Sequence, residues 1–451
     1  MKSKLSVPSA FTVRNGHIAP GNPVAPKSAP SSPSAVAELT KDFETPFYFY
    51  NLDHVRARAE FLKTALCESQ KLPVAIHYAA KANANPAILK LLKSLGLCVD
   101  VVSSGEIDCA LRNGFDADDI LFSGVAKTRR ELVHALKISV KQINIESLGE
   151  LERLEQILIA SPALLPAGQK ISVGLRLNPN VSPETHPYIT TGLKENKFGL
   201  EEDAVIEAVR RITKTQAPIQ FRGLSLHIGS QLLELTALND AIGIGLAVQN
   251  KVRDFFPASE KSAVDRFDIG GGLGINYDSI DETVECDVVQ SYAELLKKHV
   301  GSELDSGRLR ELMVEPGRWL VARSGLLVTE VQYTKTTQHK SFVIVDGGMN
   351  LLIRPALYEA HHRIAPLTSD TKPGESSTNE PAKNVDVVGP ICESADFLGR
   401  GVILPNTAPG DRLAIFDTGA YGRTMASNYN QRGWPAEYVY TEGRVSRIDS
   451  V

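Results

Sequence analysis

The residues of this chain that could do chemistry lie at the carboxyl ends of short apolar runs. Lys81 follows the run Val74–Ala79, and a lysine in such a position can form a Schiff base with a carbonyl cofactor. Asp268 lies near the end of the later run Arg266–Ile269, and Glu315 and Arg318 follow the last run, Glu311–Val314. Eight such runs, each ending in reactive side chains, predict a (β/α)₈ barrel with its active site at the carboxyl ends of the strands.

These runs alternate along the chain with segments of helical spacing, which is the pattern of successive βαβ units. Most are continuous in Val, Ile and Leu, as expected for parallel strands that are covered on both faces. Helical spacing is clear over Pro86–Leu95, Ala204–Ile212 and Tyr292–Val300. The predicted barrel strands are Val74–Ala79, Cys98–Val102, Ile120–Ser123, Gln142–Ile145, Ile171–Leu177, Gly223–His227, Arg266–Ile269 and Glu311–Val314.

After Arg318 the pattern changes to short strand-like runs separated by turn residues, which predicts a mainly antiparallel β-domain. The run Phe47–Tyr50 is expected to join this domain, so that the barrel is inserted between its parts. The later runs are Leu326–Tyr333, Phe342–Val345, Val385–Val388, Leu413–Phe416 and Glu437–Tyr440. The expected divisions are a disordered tail over 1–37, an N-terminal part of the β-domain over 38–73, the barrel over 74–320 and the C-terminal β-domain over 321–451.

Composition excludes several classes of protein. The chain has 451 residues and a net charge of -4, which argues against broad nucleic-acid binding. No apolar run approaches the roughly 18 residues of a membrane helix. The five cysteines form no Cys-x-x-Cys pair, so we expect no disulfide framework, no metal site and a reducing compartment. The acid-free segment 1–37 leaves a cytoplasmic protein or a plastid transit peptide open.

Two motifs at predicted strand ends suit a planar, phosphorylated ligand. The glycines of Gly270–Gly274 could hold an anion with backbone N–H groups, although the spacing fits neither a dinucleotide fingerprint nor a P-loop. A plain tight turn is the alternative, but phosphate sites in such barrels are often built from the loops after strands seven and eight. His227 could stack on a planar ring or be an ordinary core histidine, and Ser230 could donate to a phosphate.

Glu315 would separate carbanion chemistry from milder chemistry. A carboxylate at a pyridine nitrogen keeps the ring protonated, and a protonated ring is a strong electron sink. A structural pair with Arg318 is the alternative. Asp100 and Arg176, at the ends of the second and fifth predicted strands, either complete the ring of polar residues or are charges of the barrel rim.

Seven long motifs together are far more specific than any one of them. They are Tyr78–Asn83, His227–Gln231, Gly270–Gly274, Glu315–Arg318, Asp346–Tyr358, Gly389–Ser394 and Met425–Asn430. On these motifs, from about Thr45 to Ile448, the chain resembles the diaminopimelate decarboxylase family. These are pyridoxal-phosphate enzymes with an alanine-racemase-like barrel and a β-domain, known as fold type III, within the group IV decarboxylases. Thr424 departs from the family pattern, which has a serine before the methionine, but it keeps a hydroxyl group.

The resemblance implies decarboxylation of meso-2,6-diaminopimelate to L-lysine and CO₂, the last step of lysine biosynthesis, with pyridoxal 5'-phosphate as cofactor. The reaction would pass through a Schiff base of substrate and cofactor and then a carbanion. Lys81, His227 and Cys392 would be the catalytic residues, with Lys81 forming the Schiff base and Cys392 donating a proton. The resemblance also implies a homodimer with shared active sites, in which the second subunit donates Cys392 and Glu393.

The binding residues that the resemblance assigns fall into two sets. The cofactor would be held by Lys81, Asp100, Arg176, His227, Ser230, Gly270, Gly271, Gly272, Glu315, Gly317, Arg318 and Tyr421. The substrate would be bound by Arg318, Arg354, Tyr358, Glu393 and Tyr421.

Three alternatives share this fold. An ornithine- or arginine-type decarboxylase is the main one, but its substrates carry no distal carboxylate to complement Arg354. A racemase would need a second base opposite Lys81, and a strongly protonated ring beside Glu315 would be a liability. A catalytically silent relative that binds a partner protein would usually lose the lysine or the phosphate contacts, which are present here.

Overall fold

The computed structural model describes residues 9–14, 17–21, 35–181, 197–367 and 382–448. The chain divides into two compact units. The barrel unit comprises Leu62–Gly274 and Glu285–Gly317, and the β unit comprises Met1–Phe61, Ile275–Val284 and Arg318–Val451. Among the described residues, no helix combines the length and the apolar character that crossing a membrane requires.

The elements are numbered along the chain. The strands are β1 (Phe11–Arg14), β2 (His17–Pro20), β3 (Phe47–Asn51), β4 (Val74–Ala79), β5 (Cys98–Val101), β6 (Ile120–Phe122), β7 (Gln142–Ile145), β8 (Ile171–Arg176), β9 (Ile219–Ser225), β10 (Arg266–Asp268), β11 (Glu311–Val314), β12 (Gly325–Thr336), β13 (Ser341–Val345), β14 (Ile364–Pro366), β15 (Lys383–Val388), β16 (Phe397–Leu404), β17 (Arg412–Ile415), β18 (Ala436–Thr441) and β19 (Arg444–Ile448). The helices are α1 (Val36–Leu39), α2 (Leu52–Lys63), α3 (Pro86–Ser94), α4 (Ser104–Arg112), α5 (Arg129–Ile138), α6 (Leu148–Ala160), α7 (Glu202–Ile212), α8 (Thr236–Arg253), α9 (Ala258–Lys261), α10 (Thr283–Asp305), α11 (Arg318–Val321) and α12 (Arg354–Tyr358).

Strands β4 to β11 close into a parallel barrel, which confirms the predicted fold. Each strand pairs with the next one along the chain, and β11 pairs with β4 to close the ring. Seven of the eight strands begin where the sequence predicted, but β9 begins at Ile219 instead of Gly223. The early part of β9 is harder to predict because Gln220 and Arg222 interrupt the apolar run, and Arg222 pairs with Asp265 at 2.7 Å.

Helix starts in the barrel follow the strand ends closely because polar residues cap them. Ser103 accepts a hydrogen bond from the N–H of Glu106 at the start of α4. Thr128 and Glu131 form a reciprocal capping box at the start of α5. Each cap fixes the point at which the chain leaves the barrel mouth, so the loops that carry functional residues are short and defined.

The β unit contains a mainly antiparallel sheet, as predicted. Its strand order is β16-β15-β13-β12-β3-β18-β19, and β17 pairs with both β12 and β14. Strand β3, which contains the run Phe47–Tyr50, lies antiparallel to β12 and parallel to β18. The buried face of this sheet includes Phe47, Phe49, Leu326 and Val328. Strands β14, β16 and β19 were not predicted.

The predicted disordered tail is wrong for part of residues 1–37. Phe11–Arg14 and His17–Pro20 form an antiparallel hairpin. Asn51 holds it in place, since its Nδ2 donates to the carbonyl oxygens of Ala10 at 2.7 Å and Gly21 at 3.0 Å. The hairpin therefore depends on a residue that is 30 and 41 positions away from its two hydrogen-bond partners. Residues 1–8, 15–16 and 22–34 lie outside the described residues.

Candidate active site

Lys81 lies just past the end of β4, in a single helical turn over Ala80–Ala82. Its side chain is 38% exposed, and its Nζ is 3.6 Å from Oδ2 of Asp100 at the end of the neighbouring β5. Burial raises the pKa of Asp100, and the Lys81 ammonium opposes that rise. A partly exposed amine beside a buried carboxylate can reach a carbonyl ligand at the barrel mouth while its stem stays in place.

Glu315, two residues beyond Met313 in β11, belongs to a cluster of buried carboxyl groups with Asp100 and Asp268. Burial and the charges of Asp100 and Asp268 raise the pKa of Glu315 well above its usual value. Burial also raises the pKa of Asp268, to about 6, and the two carboxyl groups share a hydrogen bond. The raised pKa of Glu315 favours its protonated form, which can donate a hydrogen bond to the Asp268 carboxylate.

The Asp268 carboxylate accepts hydrogen bonds from a backbone amide and a side-chain amide inside the barrel. Its Oδ1 accepts from the N–H of Gly270 at 2.9 Å, and its Oδ2 accepts from Nδ2 of Asn144 at 3.2 Å. Asn144 in turn accepts from Nε2 of Gln142 at 2.9 Å. A Cβ at Gly174 would lie 2.4 Å from Oδ1 of Asn144, so a glycine there makes room for this amide column. These donors stabilise the ionised form of Asp268 and leave the proton on Glu315.

The glycine loop after β10 has no room for side chains. A Cβ at Gly270 would lie 2.1 Å from the carbonyl oxygen of Leu226, and one at Gly271 would lie 2.3 Å from the carbonyl oxygen of Glu315. Gly270 also has a φ of +74°, which favours glycine. The N–H groups of Gly270 and Gly271 donate to Asp268 and His227, so these two glycines shape the loop.

His227 is a neutral imidazole at the end of the β9 region. Its Nδ1 accepts from the N–H of Gly271 at 3.2 Å, which places the ring proton on Nε2. Burial and the charges of Arg176 and Lys81 lower the pKa of His227 well below its usual value. A flat, uncharged ring held by the glycine loop is suited to stacking on a planar cofactor.

The remaining predicted cofactor residues of the barrel unit occupy the same end of the barrel. Arg176 pairs with Glu146 at 2.8 Å and donates to the carbonyl oxygen of His227 at 3.3 Å. Ser230 is half-buried in the loop that follows His227. A Cβ at Gly317 would meet two alanine methyl groups beside Lys81 at 3.1 Å, so this glycine allows the loop after β11 to pack against the lysine turn.

A second polar cluster lies in the β unit. Arg318 and Arg354 are both buried, and both donate from Nη1 to the phenol oxygen of Tyr277, at 2.8 and 2.7 Å. The Arg318 guanidinium also lies 4.9 Å from the centroid of the Tyr421 ring. Tyr358 is half-buried at the end of α12 and contributes to the electrostatic environment of Arg318. The predicted substrate residues Arg318 and Arg354 are thus brought together by a tyrosine that the sequence analysis missed.

Cys392 and Glu393 lie on the exposed loop between β15 and β16. Glu393 accepts a hydrogen bond from the hydroxyl of Tyr429 at 2.5 Å. Asp396 fixes the loop because its carboxylate accepts hydrogen bonds from the N–H groups of Met349 and Ile391, both at 2.6 Å. The expectation that these residues serve a second subunit stays a prediction.

The barrel residues fit pyridoxal phosphate. Lys81 supplies the amine, and Glu315 carries a proton that it can give to a ring nitrogen. The buried carboxyl cluster favours a cation at this position, because three acidic groups share a low-dielectric environment. The N–H groups of Gly270 and Gly271 already donate to Asp268 and His227, so these two glycines would contribute by letting the backbone lie close to an anionic group and not by donating to it. The neutral ring of His227 completes the set.

Comparison with known proteins supports these assignments of cofactor class. A family model described as pyridoxal-dependent decarboxylase, pyridoxal binding domain, matches residues 52–322. The chain is 41% identical to the diaminopimelate decarboxylase of Campylobacter jejuni over 413 residues, which covers 91% of this chain and 94% of that protein.

Solved structures give the same result. The diaminopimelate decarboxylase of Helicobacter pylori in complex with L-lysine superimposes with a TM-score of 0.79 at 36% identity, covering 92% of this chain and 95% of the other. The M. jannaschii diaminopimelate decarboxylase in complex with L-lysine gives a TM-score of 0.81 at 30% identity, covering 97% and 94%. Both similarities extend over the barrel and the β unit.

Proposed function

The chain belongs to the diaminopimelate decarboxylase family of pyridoxal-dependent decarboxylases, and on that basis we propose that it converts meso-2,6-diaminopimelate to L-lysine and CO₂ as the last step of lysine biosynthesis. The observation that best supports decarboxylation is the buried Glu315 in the same barrel mouth as Lys81, where burial and the charges of Asp100 and Asp268 raise its pKa. A site that protonates a ring nitrogen favours loss of CO₂, which leaves an electron pair to be stabilised.

Bound pyridoxal phosphate would supply the electron sink for that electron pair. We assign its retention to Lys81, Asp100, Arg176, His227, Ser230, Gly270, Gly271, Gly272, Glu315, Gly317, Arg318 and Tyr421. Lys81 would hold the cofactor through its carbonyl group and would be displaced from it by the substrate amine. Glu315 would give the proton that it shares with Asp268 to the ring nitrogen, and the resulting carboxylate would hold it there. His227 would stack on the ring and keep water away from it.

Substrate choice depends on the distal end of the amino acid. Diaminopimelate carries a carboxylate there, and we assign its recognition to Arg318, Arg354 and Tyr358, with Tyr421 alongside. Arginine pairs recognise carboxylates through charge-assisted hydrogen bonds. Ornithine and arginine end in a cation, which two neighbouring guanidinium groups would repel.

We further propose a homodimer in which Cys392 and Glu393 act in the partner's site. Cys392 would donate a proton to the carbon that has lost CO₂, and Glu393 would bind the distal ammonium group. Both residues are exposed on the single chain, which suits donation to another subunit. Mixing Lys81→Ala with Cys392→Ala subunits should restore activity that neither variant has alone, and no restoration would contradict shared sites.

We infer a cytoplasmic location, which is consistent with five cysteines that are all free thiols. The alternative is that residues 1–37 direct the chain to a plastid. A reporter protein fused to this segment that entered a plastid would overturn the inference.

The test of the proposed function is CO₂ release by the purified protein with pyridoxal phosphate. Diaminopimelate, ornithine, arginine and lysine are offered separately. Release from diaminopimelate with equal formation of lysine is the expected result, and Lys81→Ala should abolish both turnover and the absorbance band of the lysine-bound cofactor. Release from ornithine or arginine alone would overturn the substrate. Full activity of Lys81→Ala would overturn the mechanism.

A further inference from the structure

Tyr277 lies at the centre of the arginine cluster of the β unit. It is 9% exposed, and its phenol oxygen accepts hydrogen bonds from Nη1 of Arg318 at 2.8 Å and Nη1 of Arg354 at 2.7 Å. We propose that Tyr277 is a positioning residue that aligns Arg318 and Arg354 into one binding site for the distal carboxylate of the substrate. This inference rests on the proposed function and adds a residue that determines its specificity.

The two arginines need such a partner because they carry the same charge. Since both donate to one oxygen atom, their Nη1 atoms lie within 5.5 Å of each other. The partial negative charge of that oxygen offsets part of their repulsion. The Tyr277 ring adds to this, because the guanidinium carbons of Arg354 and Arg318 lie 4.9 and 5.9 Å from its centroid. Without the tyrosine oxygen, the two side chains would separate.

Tyr277 is itself held in place. The ring of His362 packs edge-on against it, with centroids 5.3 Å apart and an interplanar angle of 72°. Nδ1 of His362 donates to the carbonyl oxygen of Phe416 at 2.8 Å, which fixes the orientation of the imidazole. Burial and the Arg354 charge lower the pKa of His362 well below its usual value, so the imidazole is neutral. The tyrosine is therefore a rigid reference point for the arginines.

The phenol group suits a carboxylate ligand for a further reason. A tyrosine hydroxyl can accept hydrogen bonds through its lone pairs and still donate its own hydrogen. With two arginines as donors to the oxygen, that hydrogen is available for a third group. A carboxylate placed between the guanidinium groups could accept from both arginines and from Tyr277. A cationic chain end offers no acceptor at all, so the same arrangement rejects it.

This arrangement predicts a specific pH dependence. Burial raises the pKa of Tyr277, but the charges of Arg318 and Arg354 more than offset this and bring it below its usual value. Among the described residues, the charged and titratable groups in contact with Tyr277 include these two arginines and the neutral His362, while the adjacent Asp278 pairs with His361 at 3.0 Å. When the phenol ionises at alkaline pH, its charge offsets one of the two guanidinium charges, and it can no longer donate a hydrogen bond. Affinity for a carboxylate should then fall.

The experiment compares Tyr277→Phe with the wild-type protein, both loaded with pyridoxal phosphate. Tyr440→Phe is the matched control, since it removes a hydroxyl from another buried tyrosine of the β unit. The loss of a hydrogen bond to charged groups should raise KM for diaminopimelate about tenfold to a hundredfold. The value of kcat should change much less. In the wild-type protein KM should rise at alkaline pH as Tyr277 ionises, and in Tyr277→Phe this rise should disappear. An unchanged KM, or an alkaline rise that persists in the variant, would overturn the proposal.

Binding measurements separate this inference from the proposed function. L-lysine carries a carboxylate, and pentane-1,5-diamine is the same chain without it. Calorimetry should show that Tyr277→Phe weakens lysine binding and leaves diamine binding unchanged, whether or not diaminopimelate is the substrate. Equal weakening of both ligands would overturn the positioning role. Absence of CO₂ release from diaminopimelate by the wild-type protein would overturn the proposed function and leave this comparison valid.

Discussion

Gly271→Ala tests whether the glycine loop and Glu315 form one cofactor site. The added Cβ would lie 2.3 Å from the carbonyl oxygen of Glu315 and 3.5 Å from Cε1 of His227. The first contact is about 1 Å too short, and its partner is backbone, which cannot rotate away as a side chain can. Either the loop or the segment that carries Glu315 must therefore move, and both are expected to hold the cofactor.

The size of the effect follows from overpacking. Forcing an extra methyl group into a tightly packed site costs about 1–3 kcal/mol. In the protein freed of cofactor, part of this strain can relax by movement of the loop. Cofactor binding would need the original loop geometry, so the strain energy that had been released by loop movement would be imposed again and would lower the affinity. If the whole of the roughly 1–3 kcal/mol were imposed on binding, the dissociation constant of pyridoxal phosphate would rise about 5-fold to 150-fold.

The assay has two parts. Titration with pyridoxal phosphate, followed by absorbance, gives the cofactor affinity. Denaturant unfolding of the cofactor-free protein gives the loss of unfolding free energy, which equals the strain energy that loop movement does not release. Gly105→Ala is the matched control, because its Cβ would meet nothing closer than Oγ of Ser103 at 3.8 Å. Alanine in the first turn of α4 should be neutral or slightly stabilising. Both measurements unchanged for Gly271→Ala would refute the close approach of the loop to Glu315.

Two further substitutions test the β unit. Glu282→Gln removes the buried carboxylate partner of Arg58 and should lower the unfolding free energy by about 3–5 kcal/mol near neutral pH. Burial raises the pKa of Glu282, but its cationic partners bring it well below 4.5, so this stabilisation is present above about pH 4.5 and is lost as the pH falls. Parallel stability–pH curves for variant and wild type would contradict this. Asp396→Ala removes the acceptor of the Ile391 N–H. Amide hydrogen exchange at Ile391 and thiol labelling of Cys392 should therefore become faster. Unchanged rates would count against a role of Asp396 in fixing the loop.

The barrel could be predicted because its strands are locally defined. Runs such as Val74–Ala79 and Gln142–Ile145 are short, and turn or cap residues bound them on both sides. In β16 the apolar run is interrupted by Gly399, Arg400 and Gly401, and its pairing with β15 changes register. A strand that depends on its neighbour for its geometry carries little signal of its own.

The N-terminal hairpin was missed for a different reason. Its sequence has the composition of a disordered tail, and its order comes from distant residues. Phe11 packs against Phe49 and Phe416, with ring centroids 6.3 and 6.4 Å away. Ala10 donates its N–H to Glu282 at 3.2 Å. Contacts that span up to four hundred residues cannot be inferred from local composition.

Much of the candidate site was accessible from motifs, but the residues that support it were not. Tyr277 lies outside the strand ends and is only found through its two hydrogen bonds to arginines. Gln142 and Asn144 did leave a signal, since two amides at alternate positions of a buried strand must point the same way. In the structure that direction is inward, since Asn144 reaches Asp268 on a strand that is not its neighbour, and buried amides require partners. Asp268 is the partner that this reasoning would have found.

The supporting residues explain why a barrel keeps so much buried charge. The pKa values of Glu315 and Asp268 are both raised in the folded protein, so the cluster stabilises it at low pH and loses that contribution as the pH rises through about 6 for Asp268. A purely structural core would replace these carboxyl groups by apolar side chains. Their retention is understandable if a cationic ring nitrogen occupies the site during catalysis, because a cation relieves the repulsion that burial creates. The amides of Gln142 and Asn144 then have a functional role, since they keep Asp268 ionised and so leave the proton on Glu315.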